Sequence, residues 1–97
     1  MKMASDLCAE MVFMSQIPSE LDQAKKEFPS NKHQLAALGE EVGELQQALI
    51  EHDMVGNVSA GEVWDEALQV AVMALRVATE GDESFNYDPK DAVEQTA

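Results

Sequence analysis

The 97-residue chain has one cysteine, three prolines, five aromatic side chains, and six basic residues against nineteen acidic ones. The single thiol, Cys8, excludes an internal disulfide framework and a cysteine-only metal site. With a formal net charge of -13 and a sequence pI of about 4.2, the shortage of lysine and arginine argues against two kinds of partner. Nucleic acid held through a basic patch is one, and an anionic lipid surface met by a basic amphipathic helix is the other. No segment has the about 18 apolar residues that span a bilayer, and the start of the chain lacks a basic region followed by an apolar stretch. The expectation is a soluble, cytoplasmic protein with no nucleic-acid or membrane partner.

What is present is apolar mass of one kind. Hydrophobic residues make up 45% of the chain, too many for a disordered acidic tail, and they are mostly Leu, Val, Ala and Met. A chain this short buries only roughly 60 to 65% of the surface its unfolded form exposes, so its apolar excess predicts a homodimer or homotetramer. Breaks fall at Pro18, Pro29-Ser30-Asn31, Asp53 to Gly61, Gly81-Asp82 and Asp88-Pro89, and the segments between them have helical periodicity. The pattern predicts one domain over residues 1–97, an all-α bundle of four to five helices completed by oligomerisation. The first helix is expected from about Ser5 to Ser15, and the second, capped by Ser19, from about Glu20 to Phe28. A third follows Ser30 and runs to about His52, with Leu35, Leu38, Val42, Leu45 and Leu49 as its apolar stripe. The fourth opens on the capping-box pattern Ser59-Ala60-Gly61-Glu62 and ends at Gly81. Residues 82–97 are polar, with Asp88-Pro89 as a start for one more helical turn, and are expected to be loosely held or to pack on a neighbouring subunit.

Chemistry enters through a second absence. Between Lys32 and Arg76 there is no lysine or arginine, while Glu40, Glu41, Glu44, Glu51, Asp53, Glu62, Asp65 and Glu66 all fall there. On a helical wheel Glu41 and Glu44 flank the apolar stripe of the third helix, beside Gln34, Ala37 and Ala48. The fourth helix is apolar nearly all round, as a buried helix is, except for a narrow sector holding Glu62, Asp65, Glu66, Gln69 and Arg76. Carboxylates converging from both helices either acquire raised pKa values or require a cation. Oxygen ligands without His or Cys suit Mg²⁺ or Mn²⁺ better than zinc.

Leu38-Gly39-Glu40-Glu41-Val42-Gly43-Glu44-Leu45, followed about twenty residues later by an acidic helix start, resembles a known signature. It is similar to the E-E-x-x-E then E-x-x-D pattern of the MazG-like all-α nucleoside triphosphate pyrophosphohydrolases, which include the dimeric dUTPases and dCTP pyrophosphatases. The likeness covers about Leu35 to Gly81. It implies a helical oligomer that binds Mg²⁺ and splits a nucleoside triphosphate into the monophosphate and pyrophosphate, a nucleotide-pool house-cleaning activity. Two registers compete for the second motif. Glu62-Val63-Trp64-Asp65 matches literally, while Glu66-Ala67-Leu68-Gln69 has glutamine in place of aspartate. Antiparallel pairing places Glu44 level with about Leu68, and Glu62 roughly 9 Å lower at 1.5 Å per residue, which favours Glu66 and Gln69.

The expected metal ligands are therefore Glu41, Glu44 and Glu66, with Gln69 adding an uncharged oxygen, and Glu44 or Glu40 as the catalytic proton acceptor. Glu62 reads better as the capping partner of Ser59. Asp65 reads as an early-helix acid or an outer partner of the cluster. Arg76, the only arginine, is a substrate-phosphate clamp or the salt-bridge partner of a clustered carboxylate. Lys32 and His33 fall near its level and read as surface residues, Met11, Met14, Met54 and Met73 as core filling or interface, Cys8 as a small buried apolar group, and Phe28 as a candidate for contact with the base. The competing reading is a non-enzymatic acidic helical interaction module, or a DNA mimic whose carboxylates occupy a partner's basic groove.

Overall fold

Helix α1 runs unbroken from Ala9 to Glu27 in the computed structural model, which describes residues 8–96. The break at Pro18 predicts two helices here, and the structure has one; Ser5 to Leu7 of the first expected helix lie outside the described residues. A proline inside a helix removes one hydrogen bond and crowds the carbonyl four residues back, at about 3 kcal/mol or more. Ser19 does not cap a new helix; its hydroxyl donates to the Gln16 carbonyl at 3.2 Å. Contacts on both sides of Pro18 hold α1 in line. Phe13 meets Trp64 edge to face with ring centroids 5.1 Å apart, and the Trp64 indole donates to Gln16 Oε1 at 2.7 Å. Two residues beyond the proline, Glu20 Oε2 accepts from Gln69 Nε2 at 3.1 Å.

Helix α2 spans Gln34–Ile50 and continues through a π-helical turn, Glu51–Val55, three residues past the expected end. Gly56 stops it in the left-handed region (φ 79°), its N–H reaching the Glu51 carbonyl at 2.7 Å. The start is less regular. His33 has φ 60° and supplies no side-chain cap. The cap comes from across the molecule, where Asp82 Oδ2 accepts the Leu35 N–H at 2.8 Å and sets a negative charge against the helix N-terminus.

Helix α3 spans Ala60–Glu80 and has both ends where the sequence puts them. Ser59 Oγ accepts the Glu62 N–H at 3.1 Å, and Gly81, at φ 74°, donates to the Val77 carbonyl at 3.0 Å. Leu68, Val72 and Arg76, four residues apart, form its most buried line. α3 packs against both α1 and α2. Its antiparallel pairing with α2 is marked by Asn31 and Gln34 near the start of α2, which donate to the Glu80 carbonyl and to Glu80 Oε1 at the end of α3.

The face α2 presents to α3 is not the expected stripe. Gln34 and Ala48 are buried and Leu38, Glu41 and Leu45 half-buried, while Leu35, Val42 and Leu49 stay exposed. The helix is rotated so that the flank carrying Glu41 turns inward. The buried apolar core is accordingly small, consisting of Ala48, Leu68 and Val72 among the described residues.

The expectation of a loosely held tail is corrected at its first residue. Asp82 is buried, binding the N–H groups of Leu35 and Ser84 at 2.8 Å each. Tyr87 donates to the Ala78 carbonyl at 2.8 Å, and helix α4, Pro89–Thr96, begins at the expected proline. No helix among the described residues is long and apolar enough to cross a membrane.

Candidate metal centre

Glu41 and Glu44 stand one turn apart on α2, and Glu66 faces them from α3. One carboxylate oxygen from each lies within 4.8 Å of the others. The rotation of α2 produces this meeting, because it is the face beside the apolar stripe, rather than the stripe, that meets α3. Glu41 and Glu66 are half-buried, and Glu44 stands at the solvent edge.

The electrostatics are unfavourable as they stand. Glu41 Oε2 and Glu66 Oε2 are buried with no hydrogen-bond partner among the described residues. Burial pushes the Glu41 carboxyl above the ordinary carboxylate range, and the charges of Glu44 and Glu66 add to the effect. Burial raises Glu66 in the same way, and Glu44 beside it adds again. Like charges about 5 Å apart repel by roughly 3 kcal/mol at an effective dielectric of about 20, and the exposure of Glu44 reduces this. Two arrivals relieve the repulsion: a proton shared between carboxylates, or a cation bound by all three. The unpartnered oxygens and the all-oxygen donor set fit Mg²⁺ or Mn²⁺.

The other expected site residues are distributed differently. Glu40 is exposed on α2 and enters only through its charge on Glu41. Gln69 is one turn beyond Glu66, with its amide nitrogen turned to Glu20 on α1. Glu62 and Asp65 are exposed, Glu62 with its backbone N–H in the Ser59 cap and Asp65 near enough to Glu66 to add to its raised pKa. The residues brought together with the α2 pair therefore belong to the Glu66 register.

Arg76 is corrected outright as a phosphate clamp. It is 1% exposed, and its Nε and Nη2 donate to the two carboxylate oxygens of Glu80 at 3.0 and 2.9 Å. Nη2 also donates to the Phe28 carbonyl at 2.7 Å, closing the end of α1. Its ion pair is with Glu80, four residues on along α3, and not with the acidic cluster. Lys32 and His33 are exposed, as expected.

Glu20, Gln23 and Glu27 escaped the sequence reading. With Phe28, Glu41, Gln69 and Met73 they line a cavity of about 310 Å³ that shares Glu41 with the carboxylate cluster. The signal was present, since Phe13, Gln16, Glu20 and Ala24 keep one helical face at spacings of three and four straight through Pro18.

Compared with known proteins, the chain matches no family model, no curated protein and no solved structure. The likeness to the pyrophosphohydrolases rests on the motif residues alone.

Proposed function

We propose that the protein is a Mg²⁺-dependent hydrolase that cleaves nucleoside or deoxynucleoside triphosphates to the monophosphate and pyrophosphate, acting in nucleotide-pool house-cleaning. The observation that carries this reading is the meeting of Glu41, Glu44 and Glu66, with two buried oxygens lacking a partner among the described residues and no lysine or arginine between Lys32 and Arg76. A bound Mg²⁺ supplies positive charge that offsets the triphosphate and the charge developing at phosphorus. Glu41, Glu44 and Glu66 hold the ion. Glu44, at the solvent edge, or its neighbour Glu40 accepts a proton from the water that attacks the α-phosphorus. The bond from that phosphorus to the bridging oxygen breaks, and pyrophosphate leaves.

The test is turnover of a panel of nucleoside triphosphates, with products identified, in Mg²⁺ and in chelator. Monophosphate and pyrophosphate in equal amounts, only with metal, are expected. Release of inorganic phosphate and the diphosphate, or no turnover of any member, would sink the reading. The acidic interaction module is the second reading, favoured by the many carboxylates that remain exposed. It is separated by thermal melting, since a metal site raises the melting temperature selectively with Mg²⁺ or Mn²⁺ and a diffuse acidic surface does not.

Self-association belongs to the same proposal. Leu35, Val42, Leu49 and Ile50 are each about half exposed on α2, and a second copy covers them. Sedimentation at micromolar concentration is expected to give a dimer or tetramer, and a monomer there refutes this part.

A further inference from the structure

The cavity beside the carboxylate cluster has walls in which hydrogen-bond acceptors predominate. Gln23 Nε2 donates to Glu27 Oε1 at 2.9 Å, and Gln69 Nε2 donates to Glu20 Oε2 at 3.1 Å. An ionised carboxylate only accepts, so each glutamine must turn its NH₂ toward the neighbouring acid. One N–H of each amide is thereby engaged and the other stays free, so the wall offers a ligand two amide N–H groups against the lone pairs of three carboxylates, Glu20, Glu27 and Glu41, and two amide carbonyls. No lysine, arginine or histidine among the described residues lines this space. Met73 and Ala24 give it an apolar lining, and Phe28, 67% exposed, brings an aromatic face to it.

A pocket in which acceptors outnumber donors favours ligands that donate. The phosphates of a nucleotide bring acceptors and negative charge, and these walls repel them. A nucleobase is flat enough to meet an aromatic face, and bases differ sharply in donors. Cytosine, adenine and guanine carry an exocyclic NH₂, whereas uracil and thymine offer one ring N–H between two carbonyls that would face carboxylates. At about 310 Å³ the cavity reaches the lower end of the size range of small-ligand pockets, about 300 Å³. Glu41 connects it directly to the cluster.

We propose that this cavity is the base subsite and that Glu20, Glu27 and the carbonyls of Gln23 and Gln69 select amino-bearing bases over uracil and thymine. The inference rests on reading the carboxylate cluster as the triphosphate site. Uracil and thymine lose because they bring two carbonyls and one N–H to a wall in which acceptors outnumber donors, a mismatch that leaves polar groups unpaired on both sides.

The experiment measures binding of α,β-imido analogues of dCTP, dATP, dGTP, dUTP and dTTP to the full chain with Mn²⁺. Inorganic tripolyphosphate serves as the base-free control. Amino-bearing analogues are expected to bind at least about tenfold more tightly than dUTP and dTTP analogues. Glu20→Gln, which keeps an acceptor for the Gln69 amide but adds a donor, should shrink that ratio at least about threefold and leave tripolyphosphate binding unchanged. Phe28→Ala should weaken all five analogues alike by about tenfold. Tripolyphosphate binding with no discrimination among the bases overturns this inference and leaves the triphosphate reading standing. Failure of tripolyphosphate itself to bind with metal overturns both. Should Glu20→Gln lower the melting temperature, the ratio measured on the unaltered chain still decides the matter.

Discussion

The α2–α3 pair carries two polar clusters, and they are finished to different degrees. Near the start of α2, Gln34, Arg76 and Asp82 are buried and Glu80 partly buried, and each side chain is hydrogen-bonded within the chain. Two turns along, Glu41, Glu44 and Glu66 meet with two buried oxygens that no described residue matches. Polar groups inside a fold are normally satisfied, so the first cluster is explained by the fold alone. The second is relieved either by a proton shared between carboxylates or by a bound cation. Stability belongs to one end of the helix pair, and the proposed chemistry to the other.

The largest effect follows from breaking the unfinished cluster. Glu41→Gln, Glu44→Gln and Glu66→Gln should each lower pyrophosphohydrolase turnover by about a hundredfold or more, and should abolish the rise in melting temperature with Mg²⁺. In chelator the same variants should melt no lower than the parent, because each removes a like charge from a crowded site. Glu51→Gln, outside the cluster, should change neither. Metal-dependent stabilisation that survives Glu66→Gln would show that the three carboxylates are not the ion's ligands.

Breaking the finished cluster should do the reverse. Arg76→Met leaves the partly buried Glu80 carboxylate without its partner and strips the Phe28 carbonyl of its donor. The expected cost is about 3 kcal/mol or more. Denaturant melts read this directly, and the variant should keep its Mg²⁺-dependent stabilisation wherever it remains folded. A loss of substrate affinity with unchanged stability would instead restore Arg76 as a phosphate clamp.

The two ends also respond to pH with opposite sign. The Asp82 carboxyl is held below its ordinary value by the N–H groups of Leu35 and Ser84. Its contribution is present above the unfolded value of about 3.9 and lost as pH falls through the folded value. Glu41 and Glu66 are raised by burial and by their neighbours, so they favour the fold fully below the unfolded value of about 4.3. That contribution is lost as pH rises through their raised values. Melting in chelator should therefore show a decline from mildly acid toward neutral pH. Saturating Mg²⁺ should remove the decline, Glu66→Gln should flatten it, and Asp82→Asn should blunt only the loss on the acid side. A melting temperature that climbs steadily through this range in chelator would contradict the raised values.

The ends of α3 and the pairing of α2 with it could be read from sequence because they depend on local signals: Ser59 as cap, Gly81 as terminator, an apolar period and a short connection. Glu66 followed from the same signals through simple helix geometry. What the residues hid was set by contacts remote in sequence. Pro18 reads as a break, yet Trp64, some fifty residues away, holds α1 through it by way of Phe13 and Gln16. Asp82 looks like the start of a polar tail, and its role as the cap of α2 lies 47 residues back along the chain. The wheel of α2 gave its apolar stripe correctly but not the direction that stripe faces, because the rotation of a helix is decided by its neighbours.

The smallest expected effect lies where the two regions grade into each other, at Gln69. Its amide is satisfied by Glu20, as the groups of the finished cluster are, but it sits one turn from Glu66 and shares a cavity with Glu41. Gln69→Asp removes the donor that Glu20 accepts and sets two carboxylates near one another. In chelator the variant should be less stable by about 1 kcal/mol. With metal the added charge lies one turn from Glu66 and in the cavity that Glu41 lines, so Mg²⁺ affinity should rise by a few-fold, at most about tenfold, measured by titrating the melting temperature. Glu62→Gln and Asp65→Asn are the controls, since both residues face solvent and should leave Mg²⁺ affinity within about threefold of the parent. If either control abolishes metal binding while Gln69→Asp leaves it untouched, the ion sits nearer the start of α3, and the literal motif at Glu62 and Asp65 replaces Glu66 as its second anchor.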